Sequence, residues 1–85
     1  MREKIILRSR AKKLEPALRM GKNGLSESFV DEMNKILEKK KLIKIKMLKP
    51  SLNRKEKADL IKSAVEKTNS ELIESVGNVF VLHRK

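Results

Sequence analysis

The sequence contains no cysteine, no tryptophan and no tyrosine, and a single histidine, His83. Without cysteine, disulfides, zinc–thiolate sites and thiol nucleophiles are excluded, and an intracellular location is expected. One imidazole and no motif-placed pair of carboxylates leave neither catalysis nor metal binding a foundation, so no enzyme and no cofactor are expected. His83 itself reads as a strand residue near a charged terminus. The spacing of Gly21 and Gly24 does not match the GxxxxGK[ST] pattern of a phosphate-binding P-loop. Phe29 and Phe80 are the whole aromatic complement; the core must therefore be aliphatic, and stacking of nucleobases on side chains is barely available. No apolar run approaches the roughly 20 residues of a membrane span. The apolar segment within Met1–Arg8 is too short for a secretory signal, and a soluble, cytoplasmic protein is expected. Acid is also scarce, with 11 Asp and Glu against 22 Lys and Arg and a formal net charge of +11.

What is present is basic charge, and it is segregated. Residues 1–25 carry Arg2, Lys4, Arg8, Arg10, Lys12, Lys13, Arg19 and Lys22 against Glu3 and Glu15. Residues 39–49 carry Lys39, Lys40, Lys41, Lys44, Lys46 and Lys49 with no acid. Between them, Glu27, Asp31, Glu32 and Glu38 face only Lys35. A merely solubilising surface does not require that separation, whereas a polyanionic partner does. At 85 residues the chain is read as a single domain over 1–85. A domain of this size buries only about 60% of its unfolded surface, so the core is thin.

Taken in order, residues 2–14 read as a basic helix that buries Leu7, Ala11 and Leu14 on one face, extended by Ile5 or Ile6. Pro16 stops it and biases Glu15 towards extended backbone. Ala17–Met20 reads as a short strand. Ser26 is a good helix N-cap, with Leu25 and Val30 placed as a hydrophobic staple. Phe29, Val30, Met33, Ile36 and Leu37 then trace a helical core stripe, ended by Lys39–Lys41. Leu42–Met47 alternates as a strand, with Ile43, Ile45 and Met47 inward and Lys44 and Lys46 outward. Lys49–Leu52 is a loop. Asn53 and Glu56 form a capping-box signal for a third helix buried through Leu60, Ile61, Ala64 and Val65, and Asn69 suits a left-handed C-cap. Leu72–Val76 and Val79–His83 flank Gly77-Asn78, a two-residue hairpin signal of type II′ character. The order α-β-α-β-α-β-β predicts a two-layer α/β (α+β) fold with a four-stranded mixed sheet. The helical spacers imply parallel pairing through right-handed crossovers, closed by one antiparallel hairpin.

Met20-Gly21-Lys22-Asn23-Gly24-Leu25-Ser26 joins the first strand to the second helix. Its glycines permit positive φ and close approach of another molecule, and the helix it opens into presents unpartnered N–H groups to an anion. Asn-Gly is equally an ordinary turn signal. In a chain of this charge the anion expected is a nucleic-acid phosphate.

Leu14-Glu15-Pro16, four residues, then Gly21-Lys22-Asn23-Gly24-Leu25-Ser26 resembles the signature of the CRM domain, the chloroplast RNA splicing and ribosome maturation domain, whose stand-alone prokaryotic members are the YhbY-like proteins. Leu42-Ile43-Lys44-Ile45-Lys46 resembles that family's Leu-Val/Ile-Lys-Val/Ile-Lys strand, and Gly77 with Val79–Arg84 its terminal hairpin. The resemblance implies an RNA-binding domain with a GxxG loop and a fold similar to the C-terminal domain of translation initiation factor three. It also implies association with precursors of the large ribosomal subunit, as for prokaryotic members, or with introns, as for plant members. The RNA contacts it implies are Gly21, Lys22, Asn23 and Gly24. Two positions depart from the pattern. Glu15 stands where a basic residue often precedes the proline, and His83 where tyrosine frequently precedes arginine.

Together these readings predict that Lys22 and the Gly21 and Gly24 amides clamp RNA backbone, aided by Arg8, Lys12, Arg19, Lys44 and Lys46. The expected partner is RNA, ribosomal RNA or the pre-ribosomal large subunit before others, bound by a monomer with no membrane or small-molecule substrate. A protein-interaction module whose basic faces meet an acidic or ribosomal protein is the alternative, and charge alone also admits DNA.

Overall fold

Among the described residues the elements are α1 (Arg2–Ala11), β1 (Leu18–Met20), α2 (Glu27–Lys40), β2 (Leu42–Met47), α3 (Arg54–Thr68), β3 (Glu71–Val76) and β4 (Val79–His83). This computed structural model describes residues 2–21, 24–48 and 53–84. The loop expected at Lys49–Leu52 lies outside them, as do Lys22 and Asn23.

Local signals set most element ends. Ser26 holds extended backbone and its Oγ accepts from the Phe29 N–H at 3.3 Å, which satisfies one of the open amides of α2. Asn53 does the same for α3, its Oδ1 accepting from the Glu56 N–H at 2.8 Å. The Glu56 carboxylate does not reach back to the backbone as in a standard capping box; it accepts from the Asn53 side-chain amide at 3.3 Å. Asn69 takes the left-handed conformation at φ 49° that ends α3. Lys41 takes the same conformation at φ 66° to end α2, its N–H donating to the Leu37 carbonyl at 2.9 Å.

The first helix ends earlier than its apolar spacing suggests. The Lys13 and Leu14 amides bond to the Arg10 and Ala11 carbonyls, an i→i−3 tightening of the last turn. That tightening swings Leu14 off the buried stripe to 37% exposure. Leu7 and Ala11 are buried, whereas Ile5 and Ile6 stand 65% and 58% exposed. The extension of the buried face through those isoleucines and Leu14 is therefore corrected: among its described side chains the helix docks through Leu7 and Ala11.

The four-stranded sheet has the order β1-β2-β4-β3. β1 lies parallel to β2, and β4 is antiparallel to both β2 and β3. The second crossover, through α3, thus brings β3 parallel to β2 but not beside it, and the direct pairing expected there is corrected: β4 inserts between them. The reason is in the strands themselves. Val79-Phe80-Val81-Leu82 is apolar on both faces, and Phe80, Val81 and Leu82 are all buried, which suits a central position. Glu71, Glu74 and Ser75 give β3 the polar character of an edge.

One face of the sheet meets α2 and α3 in the main core, where Met20, Met33, Leu37, Ile43, Ile45, Met47, Ile61, Ala64, Phe80 and Leu82 are buried together. This is the expected two-layer packing. On the reverse face a smaller cluster of Leu7, Ala11, Leu42, Ile73 and Val81 seats α1 as a partial third layer. Arg84 ties the end of the chain to the helical side. Its guanidinium donates to the Thr68 carbonyl at the end of α3 and to Asn34 Oδ1 of α2.

Candidate nucleic-acid interface

Parallel pairing of β1 with β2 sends both strands out at the same end of the sheet. The Leu48 N–H donates to the Met20 carbonyl at 2.8 Å, and the Met47 N–H to the Asn78 carbonyl at 2.6 Å. The glycine segment, the exit of β2 and the β3–β4 turn therefore meet at that end, where α2 and α3 also begin. Gly77 supplies φ +58° at the first position of the hairpin turn.

The Gly24 N–H donates to the Gly21 carbonyl at 3.1 Å, closing a four-residue turn whose central residues, Lys22 and Asn23, are outside the described set. Gly24 takes φ +59°, a conformation that strains any residue with a Cβ. Gly21 has no such requirement and is exposed. A Cβ built at either position meets no described residue within 4 Å. The two glycines thus do different things. Gly24 shapes the turn, and its amide, expected to face phosphate, is engaged inside it. Gly21 has no described residue crowding its Cα, so internal packing among the described residues does not demand a glycine there.

Among the described residues, only half of the reverse face of the sheet is covered. α1 sits over Leu42, Ile73 and Val81, leaving the half next to the glycine turn open. The register places Arg19, Lys46, Val79 and Val76 side by side across all four strands on this open half. Arg19 and Lys46 are exposed, and Val76 is 63% exposed. The next row holds Lys44, Val81 and Glu74, and an open groove of about 330 Å³ is lined there by Lys12, Lys44, Glu74, Val76, Val79 and Val81.

The predicted basic residues divide accordingly. Arg19 and Lys46 stand together in the open row, and Lys12 and Lys44 border the adjoining groove. Lys44 is not simply outward: it is half-buried, and its Nζ donates to the Leu14 and Ala11 carbonyls at 3.3 and 3.5 Å, closing the C-terminal end of α1. Arg8 lies a turn back along α1, its Nε donating at 3.3 Å to the carbonyl of Ile73, the extra residue of a bulge in β3. Its first role is to satisfy that bulge. His83 is half-buried between Leu42 and Glu71 on the neighbouring strands. Phe80 is fully buried and Phe29 packs against the main core, so no aromatic ring lies on the open face. Among the described residues no cluster of His, Asp or Glu could hold a metal ion, and no helix is long and apolar enough to cross a membrane.

Sequence reading did not find Glu74, Val76 and Val79. A signal existed. Once Gly77-Asn78 is taken as a two-residue turn, Val76 must oppose Val79, and a buried Phe80 forces Val79 to the face away from the main core.

Comparison with known proteins agrees with this architecture. The chain matches the model of the CRS1 / YhbY (CRM) domain over residues 1–84. It is 30% identical over 84 residues to "Probable RNA-binding protein YqeI" of Bacillus subtilis, covering 99% of this chain and 85% of that one. It is 33% identical over 81 residues to "Probable RNA-binding protein MJ0652" of Methanocaldococcus jannaschii, covering 95% of this chain and 60% of that protein. The solution structure of the hypothetical protein SAV1595 from Staphylococcus aureus superposes with a TM-score of 0.83 at 32% identity, covering 99% of this chain and 85% of that one. With the glycine turn, the Leu-Ile-Lys-Ile-Lys strand and the terminal hairpin all in their places, the chain belongs to the CRS1 / YhbY (CRM) domain family.

Proposed function

We propose that this protein binds RNA through the glycine turn and the open basic half of the sheet, holding phosphates rather than stacking bases. The observation that carries the reading is the row Arg19–Lys46 at the turn end of the sheet, left uncovered by α1. Lys22 and Asn23, at the centre of the turn, join it as the contacts implied by the family signature, and Lys12 and Lys44 extend it. Two relatives carry names as RNA-binding proteins, which supports the polyanion being RNA. The target class is ribosomal RNA, in assembly of the large subunit, bound by a monomer in the cytoplasm. In the absence of an aromatic platform, affinity comes from ion pairing, each phosphate on single-stranded RNA adding about −0.7 to the slope of log K against log salt.

The test is replacement of Lys22 and Asn23 by Asp. RNA binding should be lost while the circular dichroism spectrum and melting temperature stay within error of the parent. Retained binding would reduce the turn to a connection. Crosslinking in cells followed by sequencing of the attached RNA identifies the target; recovery of large-subunit ribosomal RNA is the expected outcome. The exposed Ile5 and Ile6 beside Arg10 and Lys13 favour a second reading, contact with a protein surface, for which co-purification surviving nuclease treatment is the mark.

A further inference from the structure

The groove beside the open row contains something that phosphate binding does not use: a carboxylate. Glu74 is half-buried and lines the same depression as Lys12 and Lys44, over a floor of Val76 and Val79, with Val81 at its inner edge where α1 begins to cover the sheet. An acid placed among lysines weakens a purely electrostatic RNA surface, so a polyanion site alone gives no reason for it. An edge strand accounts for a polar residue at this position, but not for an acid facing two lysines.

We infer that this groove receives one nucleobase, and that Glu74 makes the base guanine. Resting on the RNA-binding reading above, the inference adds base selectivity to it. Three features match the base. The floor is aliphatic and suits a flat, weakly polar ring face. The register sets Lys44, Val81 and Glu74 on three adjacent strands, so the lysine and the carboxylate stand about 10 Å apart at their backbones, two strand spacings. Because α1 covers Val81 between them, the base takes the open side of that row, over Val79 and Val76, where both side chains line the groove. The polar groups are then complementary in kind. Guanine presents two adjacent donors, N1–H and N2–H, to a carboxylate that accepts with both oxygens, and it presents O6 and N7 to lysine. An ammonium group has three protons, and Lys44 uses two of them on the Leu14 and Ala11 carbonyls, leaving one to donate to the base. Cytosine and adenine offer the carboxylate one amino group each. Uracil flanks its single N3–H with two carbonyls that repel a carboxylate.

The experiment is fluorescence anisotropy at one fixed salt concentration, using four octameric single-stranded RNAs that are uridine throughout except for a central G, C, A or U. The parent protein should bind the guanine octamer roughly tenfold more tightly than the all-uridine one, within the range of a good bidentate base contact. Glu74→Gln keeps the size but replaces one acceptor oxygen by a donor. It should erase the preference while leaving uridine binding equal or slightly stronger, since a negative charge is removed. Equal binding of all four octamers by the parent, or an unchanged guanine preference in Glu74→Gln with a native circular dichroism spectrum, overturns the inference while leaving RNA binding in place. Failure to bind any of the four overturns the RNA reading and the base site with it.

Discussion

Gly21 and Gly24 sit three positions apart and answer to different physics. At Gly24 the backbone is left-handed, and adding a Cβ there costs about 1 kcal/mol once the unfolded-state entropy of glycine is offset. At Gly21 neither the backbone nor the surroundings exclude a side chain. Gly24→Ala should therefore lower stability by about 1 kcal/mol in urea denaturation, whereas Gly21→Ala should leave the midpoint unchanged or slightly raised and weaken RNA binding. If Gly21→Ala binds RNA as the parent does, close approach at that residue is not part of recognition. The glycine spacing was legible in the sequence. The division of roles was not, because it depends on which amide closes the turn and on what surrounds each Cα.

Among the elements, α2, α3 and β2 were legible almost to the residue, because their ends are written locally in Ser26, Asn53, Asn69 and the alternation of Leu42–Met47. α1 was not. It is basic nearly all round and docks through Leu7 and Ala11, so its apolar spacing overstates its buried face. It is held as much by polar closure, with Lys44 on its last carbonyls and Arg8 on the bulge of β3. Lys44→Met should loosen this helix, costing about 1 kcal/mol for the loss of long, partly solvated charge-assisted bonds. Hydrogen exchange should then rise across residues 5–11 and stay unchanged in α2 and α3. Lys46→Met, one pleat along the same face, should leave exchange in α1 untouched; equal loosening by both would deny Lys44 this role.

At the scale of the whole molecule, the open half of the sheet exists because β4 takes the central place and α1 covers only one end. Neither is a local property. The insertion of β4 is a long-range choice between two pairings, and the helix position follows from where Ala17 joins β2, its N–H bonded to the Lys44 carbonyl at 2.8 Å. For this reason the basic residues could be listed from the sequence while the row that gathers Arg19 with Lys46, and the groove holding Glu74, could not. The segregated charge acquires a shape only in the fold: Arg19 and Lys46 lie at the turn end, and Lys39 and Lys40 lie at the opposite end, where α2 stops.

That separation allows the central claim to be tested at constant net charge. RNA affinity is measured across a salt series for Arg19→Glu/Lys46→Glu and for Lys39→Glu/Lys40→Glu, each pair changing the net charge by the same amount. The first pair should weaken binding more than tenfold and flatten the log K against log salt slope by about 1.4, two phosphate contacts at about 0.7 each; the second should keep the parent slope. Equal losses from the two pairs would mean that RNA responds to the charge of the whole molecule and not to the turn end of its sheet.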